Sequence, residues 1–265
     1  MKNSGTLTFS AGQTSKTFNV PVLADTVYET GNETVTITLS NATNATISDA
    51  TGILTITDDD NAPTVTLASS ASSVAENGSD LTLTATLSNA TTAAVTVGIS
   101  TSGTGTEGTD YATVSDITIS AGATTGTVSF TPTDDASDPV YEENETAVIS
   151  VDGVSGGSAS ESGSQSVTIT ITENESAPTV TLTRSAASIA ENSGSTVTIT
   201  ATLSIKVDEA VTVALSTSGA ATEGTDYGTI SDITVSAGAT TGTATFDPTD
   251  DSVYEDDEAA TIAID

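Results

Sequence analysis

The chain has 265 residues, of which 36 are acidic and 4 basic, with no histidine, cysteine or tryptophan, for a formal net charge of −32. That composition excludes a Ser-His-Asp triad, a thiol nucleophile, a disulfide, and a zinc site built from the usual nitrogen and sulfur ligands. It argues equally against nucleic acid or an anionic membrane as partner, both of which need a basic surface, and no apolar run approaches the ~20 residues of a spanning helix.

High net charge with 3% aromatic residues is also a signature of disorder, but the order of the residues argues otherwise. Val35-Thr36-Ile37-Thr38-Leu39 alternates with period two, and so do Leu81–Leu87, Val167–Thr172 and Val197–Leu203. Such runs bury one face and solvate the other, and valine and threonine suit a pleated surface. In chain order the punctuation by Gly, Asn, Ser and Asp predicts strands over 64–75, 81–88, 94–100, 116–120, 126–132, 146–151 and 166–172. No window sustains a 3.6-residue period, so the expected fold class is all-β.

The chain repeats itself. Ala62-Pro63-Thr64-Val65-Thr66-Leu67 returns as Ala177-Pro178-Thr179-Val180-Thr181-Leu182, and Glu107-Gly108-Thr109-Asp110-Tyr111 as Glu223-Gly224-Thr225-Asp226-Tyr227. Val27-Tyr28-Glu29, Val140-Tyr141-Glu142 and Val253-Tyr254-Glu255 align three copies. The expected division is the back part of a repeat over 1–61, a complete repeat over 62–176, and a repeat lacking its last strand over 177–265. Both ends read as cut from a longer array, and Met1-Lys2-Asn3 leads into strand-like sequence rather than a secretory leader. Seven short alternating strands per repeat predict tandem immunoglobulin-like β-sandwiches joined by short, stiff links.

The acids are unevenly placed. If successive strands run antiparallel, thirteen acids of the complete repeat fall at one end, among them Glu76, Asp110, Asp134, Asp135, Glu142, Glu145, Glu173 and Glu175. Only Asp152 and Glu161 fall at the other, and no Lys or Arg lies between Lys16 and Arg184. Two unit charges ~10 Å apart repel by about 0.4 kcal/mol in water; over eight carboxylates the unscreened sum is on the order of 10 kcal/mol. That rivals the whole stability of a domain, ~5–15 kcal/mol. A cation relieves it. Calcium suits an all-oxygen donor set of carboxylates and carbonyls; magnesium prefers fewer protein oxygens, and transition metals recruit nitrogen or sulfur. Asp58-Asp59-Asp60 is no EF-hand, lacking the alternate spacing and the sixth-position glycine. Paired carboxylates alone make a poor glycosidase, because no positioned acid in an apolar pocket is evident.

These marks together resemble the Calx-β domains, calcium-binding sandwiches that occur in tandem in bacterial surface and secreted proteins. The best-matched stretch is Asp250-Asp251-Ser252-Val253-Tyr254-Glu255-Asp256-Asp257-Glu258, which looks like the family's acidic loop between its fifth and sixth strands. The resemblance implies Ca2+ ligands at Glu191, Asp226, Asp250, Asp251, Glu255 and Glu258 in the third copy, with the Val253 carbonyl assisting. In the second copy it implies Glu76, Asp110, Asp134, Asp135, Glu142 and Glu145, closed by Glu173 and Glu175. In the first it leaves Asp25, Glu29, Glu33, Asp58, Asp59 and Asp60, with Ala24 where the family has an aspartate. The Ala136–Pro139 insertion and the Glu173-Asn174-Glu175 run depart from the family pattern.

The expected function is a calcium-binding structural array that stiffens an extracellular or cell-surface stalk or adhesin, without enzymatic activity. Its expected partners are the neighbouring repeats of the same chain, with no nucleic acid and no direct membrane insertion, beside an unknown cell-surface or matrix ligand. The rivals are an adhesion or glycan-binding module that contacts a ligand directly, and a calcium-sensing regulatory domain.

Overall fold

The alternation of aliphatic residues with threonine becomes strand wherever a partner strand is present. The structure, a computed structural model, describes residues 4–136 and 138–265; the chain start at Met1 and Ser137 of the insertion lie outside the described residues. The first segment carries β1 (Val27–Tyr28), β2 (Glu33–Thr38) and β3 (Thr51–Ile56). The second carries β4 (Thr64–Ser69), β5 (Ser73–Ala75), β6 (Leu81–Leu87), β7 (Ala90–Thr91), β8 (Val95–Gly103) and β9 (Ile117–Ile119). It continues with β10 (Thr125–Phe130), β11 (Val140–Tyr141), β12 (Glu145–Ser155), β13 (Ser160–Glu161) and β14 (Ser166–Thr172). The third has β15 (Val180–Arg184), β16 (Val197–Leu203), β17 (Lys206–Val207), β18 (Val211–Val213), β19 (Leu215–Gly219), β20 (Ile233–Val235), β21 (Thr241–Phe246) and β22 (Ala260–Ile264). A single 3-10 turn, Glu191–Ser193, is the only helical element among the described residues.

The second segment is a two-sheet sandwich, with strand orders β10-β6-β4-β13 and β5-β14-β12-β8-β9. Leu81, Leu83, Ala85 and Leu87 of β6 are buried while Thr82 and Thr86 face out, and Ile149, Ile169 and Ile171 close the core from the opposite sheet. Tyr111 and Phe130, both fully buried, stack at 5.0 Å between ring centroids. That stack anchors the Glu107–Tyr111 turn, and Thr133 donates its amide to the Asp110 carbonyl at 2.9 Å.

The structure corrects the single strand expected over 64–75. The chain breaks at Ser70–Ser72, where the Ser69 hydroxyl donates to the Ala71 carbonyl at 2.7 Å, and it crosses between sheets. Thus β4 pairs antiparallel with β6, whereas β5 pairs parallel with β14. The strand expected over 146–151 is longer, running as β12, and a bulge at Asp152 shifts its register against β8. In the first segment residues 4–26 form no strand, because the segment holds no counterpart of β6 to pair with.

Adjoining segments touch through a recurring contact. Val27↔Ala90 and Tyr28↔Thr91 form a two-residue parallel ladder between β1 and β7; Val140↔Lys206 and Tyr141↔Val207 do the same between β11 and β17. In each case the amide of the next residue donates to the tyrosine carbonyl, Thr92 to Tyr28 at 3.1 Å and Asp208 to Tyr141 at 3.4 Å. An ion pair reinforces the second junction, with Lys206 Nζ 2.6 Å from the Asp138 carboxylate.

Gly103 ends β8 at φ +127°, and a Cβ there would meet the Thr146 carbonyl oxygen at 2.0 Å, beside Glu145. Gly122 also has positive φ, +77°, but stands in open space. Both substitutions to alanine carry backbone strain on the order of 1–3 kcal/mol, and only Gly103→Ala adds the clash. Chemical denaturation should therefore show a clearly larger stability loss for Gly103→Ala than for Gly122→Ala; equal losses would mean that the close approach to β12 contributes nothing.

Candidate metal centre

Three elements bring acids together at one end of the second segment. The sheet switch places Glu76 directly after β5, where its amide donates to the Thr172 carbonyl at 3.2 Å, and the residue is only 7% exposed. The loop before β11 supplies Asp135. The exit from β14 supplies Glu173 and Glu175. Carboxylate oxygens of Glu76, Asp135 and Glu175 lie within 4.8 Å of one another, and so do those of Asp110, Glu142 and Glu145.

The groups are held by their own backbone. One oxygen of Asp135 accepts the Val140 amide, and the Asp138 amide donates to the Asp135 carbonyl at 2.9 Å. Asp135 thereby holds Val140 from across the insertion. The same clasp occurs without an insertion in the other segments, where the Val27 amide donates to Asp25 at 2.8 Å and the Val253 amide to Asp251 at 2.6 Å. Glu173 accepts the amides of Glu142 and Glu175, the latter at 2.7 Å, as Asp58 accepts the Glu29 amide at 3.1 Å.

Crowding shows in the proton affinities. Burial, followed by the charges of Glu173, Glu142, Asp135 and Glu175, pushes Glu76 up from 4.5 to about 8. Burial, then a hydrogen bond and repulsion from Asp110, raises Glu145 to about 7. Burial and the Asp110 charge raise Glu142 to about 6. Oδ1 of Asp135 is buried without a hydrogen-bond partner among the described residues, as is Oδ1 of Asn174. An orphaned buried carboxylate oxygen among raised carboxyls, with no base beside them, is the environment a hard cation fits.

Not every expected residue joins. Asp134 is exposed and belongs to neither group, and Glu173 serves as an amide acceptor at their margin. In the first segment the Glu33 charge, then burial and the charges of Asp25, Asp58 and Asp60, raise Glu29, and burial, then the charges of Asp58 and Asp59, raise Asp60, yet no three form so close a group among the described residues. In the third, burial and the charges of Asp226, Asp251, Glu191 and Glu258 raise Glu255. There Asp250, Asp251, Val253, Glu255 and Glu258 are exposed, and Glu191 lies in the exposed 3-10 turn. The reason is the pairing of β5 with β14, which buries Glu76. The third segment has no strand in the position of β14, so the chain before Glu191 has nothing to pair with. Sequence reasoning missed Asn174, whose amide nitrogen donates to Glu175 at 2.8 Å; its place between two glutamates was the available signal.

The fold and this acidic end define a class, tandem immunoglobulin-like sandwiches with carboxylates gathered at loop ends. The chain matches the Calx-beta domain family over residues 1–60, 58–175 and 173–265, and it belongs to that family. The family is one of calcium-binding domains found in tandem. Similar solved structures include the apo-form Calx CBD1 domain, 19% identical over 42% of this chain and 99% of that one, with a TM-score of 0.35. The calcium binding domain CBD12 of CALX1.1 is 19% identical over 72% and 76% of the respective chains, with a TM-score of 0.35. A two-domain protein of unknown function from Bacteroides fragilis is 8% identical over 70% and 85%, with a TM-score of 0.30. Comparison with curated proteins gives no match. No helix among the described residues is long and apolar enough to cross a membrane.

The raised carboxyls carry a pH signature. Glu76, Glu145 and Glu142 keep protons in the folded chain that the unfolded chain releases near 4.5. Because the folded state binds more protons across this window, its stability falls as pH rises from about 4.5 to about 8. In chelator the melting temperature should therefore decline from about pH 5 to about pH 8, and a profile that rises across that range would contradict the assigned shifts.

Proposed function

We propose that the chain is a calcium-binding structural array that stiffens an extracellular stalk or adhesin, and that it performs no catalysis. Calcium at the second repeat would be held by Glu76, Asp135 and Glu175 and by Asp110, Glu142 and Glu145, supplying the positive charge that their mutual repulsion lacks. Asp134 and Glu173 stand at the margin of that set. The third repeat offers Glu191, Asp226, Asp250, Asp251, Glu255, Glu258 and the Val253 carbonyl. The first offers Asp25, Glu29, Glu33, Asp58, Asp59 and Asp60.

One observation carries the reading. The loop that docks on the next repeat through the β11–β17 ladder begins at Asp135 and ends at Glu142, a member of each carboxylate group. A cation that ties these carboxylates to Glu76 and Glu175 ties the docking loop to the body of its own repeat. The ladder alone is two residues long, and the Lys206–Asp138 pair is largely exposed, worth about 0–1 kcal/mol. Extracellular calcium-binding modules work at dissociation constants of roughly 10⁻⁴–10⁻³ M, a range that partly exposed carboxylate loops suit. The threonine-rich, cysteine-free acidic composition supports the same placement.

Calcium that binds only the folded state stabilises it by about 2.7 kcal/mol at a hundredfold excess over Kd. The full chain should melt several degrees higher in millimolar calcium than in chelator, and an unchanged melting temperature would sink the calcium reading. Isothermal titration should find Glu142→Gln and Glu145→Gln weakening calcium uptake more than Asp152→Asn, which lies at the bulge of β12. Small-angle scattering should show a narrower distribution of shapes with calcium. Identical scattering in chelator, with calcium uptake demonstrated, would favour direct ligand binding over stiffening.

A further inference from the structure

The third segment holds a cleft at the place that the second fills with a strand of its own. We propose that this cleft takes β3 of a second copy of the chain, so that copies join head to tail by strand exchange. The exchange needs no metal.

In the second segment Ile169 and Ile171 of β14 are core residues, fully buried. The third segment has instead a cleft of about 1150 Å³, whose apolar lining includes Leu182, Ile189, Val197, Ile199, Phe246 and Ile262. Phe246 and Ile262 are half-buried, whereas their counterparts Phe130 and Ile149 are fully buried. A free strand edge runs beside the cleft. β12 pairs with β8 on one side and β14 on the other, but among the described residues β22 pairs with β19 alone. An unpaired edge next to an apolar cleft is a template for an added strand, whose alternate side chains fill the cleft.

β3 carries matching side chains in a matching register. It pairs with β2 through Glu33↔Ile56 and Val35↔Leu54, as β14 pairs with β12 through Glu145↔Ile171 and Ala147↔Ile169. Leu54 and Ile56 thus correspond to Ile169 and Ile171. Gly219↔Ala260 repeats Gly103↔Ala147, so a donated β3 sets Leu54 opposite Ala260. Its other edge sets Ile56 opposite Ile189, as Ile171 stands opposite Val74. In its own segment β3 has little to lose. It is half of a two-stranded hairpin in a segment that buries none of its described residues, and isolated hairpins are marginal in water.

A second observation lies at the junction. Val27-Tyr28 and Val140-Tyr141 are half-buried in ladders with the repeat that follows. Val253 and Tyr254 keep the same clasp, the Val253 amide donating to Asp251, yet they are 62% and 91% exposed. The links Thr57–Pro63 and Thr172–Pro178 are equally long, and both end in Ala-Pro. A donated β3 therefore delivers the second repeat of its own chain to the acceptor as β14 delivers the third repeat to the second. Val253 and Tyr254 then meet Ala90 and Thr91, which Val27 and Tyr28 give up. The link from β3 spans at most about 25 Å. In the same chain the whole second repeat intervenes, and its β12 alone is 11 residues long, so the donor is another copy.

The chain has no cysteine, which makes the register testable by cross-linking. Co-refolded at high concentration and oxidised, Leu54→Cys and Ala260→Cys chains should yield a covalent heterodimer. Directly opposed residues of an antiparallel pair lie about 4.5–5.5 Å apart, within disulfide reach. Ile53→Cys, on the other face of β3, should yield no more than about a tenth as much with Ala260→Cys. Light scattering of the parent chain should show multiples of 26.2 kDa growing with concentration, in chelator as in calcium. Leu54→Asn should weaken this association roughly tenfold, since it buries an unpartnered amide, and Ile53→Asn less than about twofold. A peptide of residues 51–60 in excess should return the chain to monomer. A parent chain that stays monomeric at every concentration overturns strand exchange, and so does equal cross-linking by Leu54→Cys and Ile53→Cys. Binding of the peptide to a chain that never self-associates would show a cleft that takes a strand, but not from a second copy, and overturns the proposal too.

Discussion

Carboxylate repulsion, uncompensated by any base of the second repeat, governs how this chain is organised. The acids do not scatter over the sandwich; they converge where the exits of β5 and β14 meet the loop before β11, close enough that Glu76 is pushed up to about 8. A β-sandwich can tolerate such an end because its core, from Leu83 and Val95 to Ile149 and Ile169, is built mainly from the alternating faces of strands, with Tyr111 and Val114 joining it from the loop between β8 and β9. The stress falls instead on the loops and on whatever they hold, which here includes the neighbouring repeat.

The coupling between charge and junction is economical in sequence. Within a few residues one loop contains an aspartate that accepts a backbone amide, a Val-Tyr pair that forms a ladder with the next repeat, and a glutamate that returns to the acidic group. Asp25 with Val27, Asp135 with Val140 and Asp251 with Val253 make the same clasp. In the middle copy the same clasp spans a longer spacing, since Asp135 still accepts the Val140 amide. The loop thus joins the acidic group to the next repeat through the Asp135 carboxylate, which accepts the Val140 amide, and through the β11–β17 ladder.

Much of this was legible before the structure. Leu81–Leu87 reads as a half-buried strand and is one, since its period of two is local and each threonine–leucine pair carries its own preference for water or core. The acids' common end followed from strand parity, which needs only the number of strands and their antiparallel succession. Parity could not resolve the break at Ser70–Ser72, because residues on both sides of it have strand-forming patterns and the break depends on which sheet each half meets. Nor could it separate Asp134 from Asp135. The two are adjacent aspartates in one loop, yet one is exposed and the other turns a buried oxygen inward.

The sequence by itself determined the all-β class, the threefold repetition and the gathering of acids at one end of the second repeat, because each of these is written in neighbouring residues and in their recurrence. Only the tertiary structure decided which acids face one another. Glu76 and Glu191 occupy equivalent places in two copies of one motif, but Glu76 is buried and Glu191 is exposed. Glu76 directly follows β5, which pairs with β14, a strand from the far end of the repeat; among the described residues no strand pairs with the chain before Glu191. Burial and charge proximity are set by what packs from elsewhere in the chain.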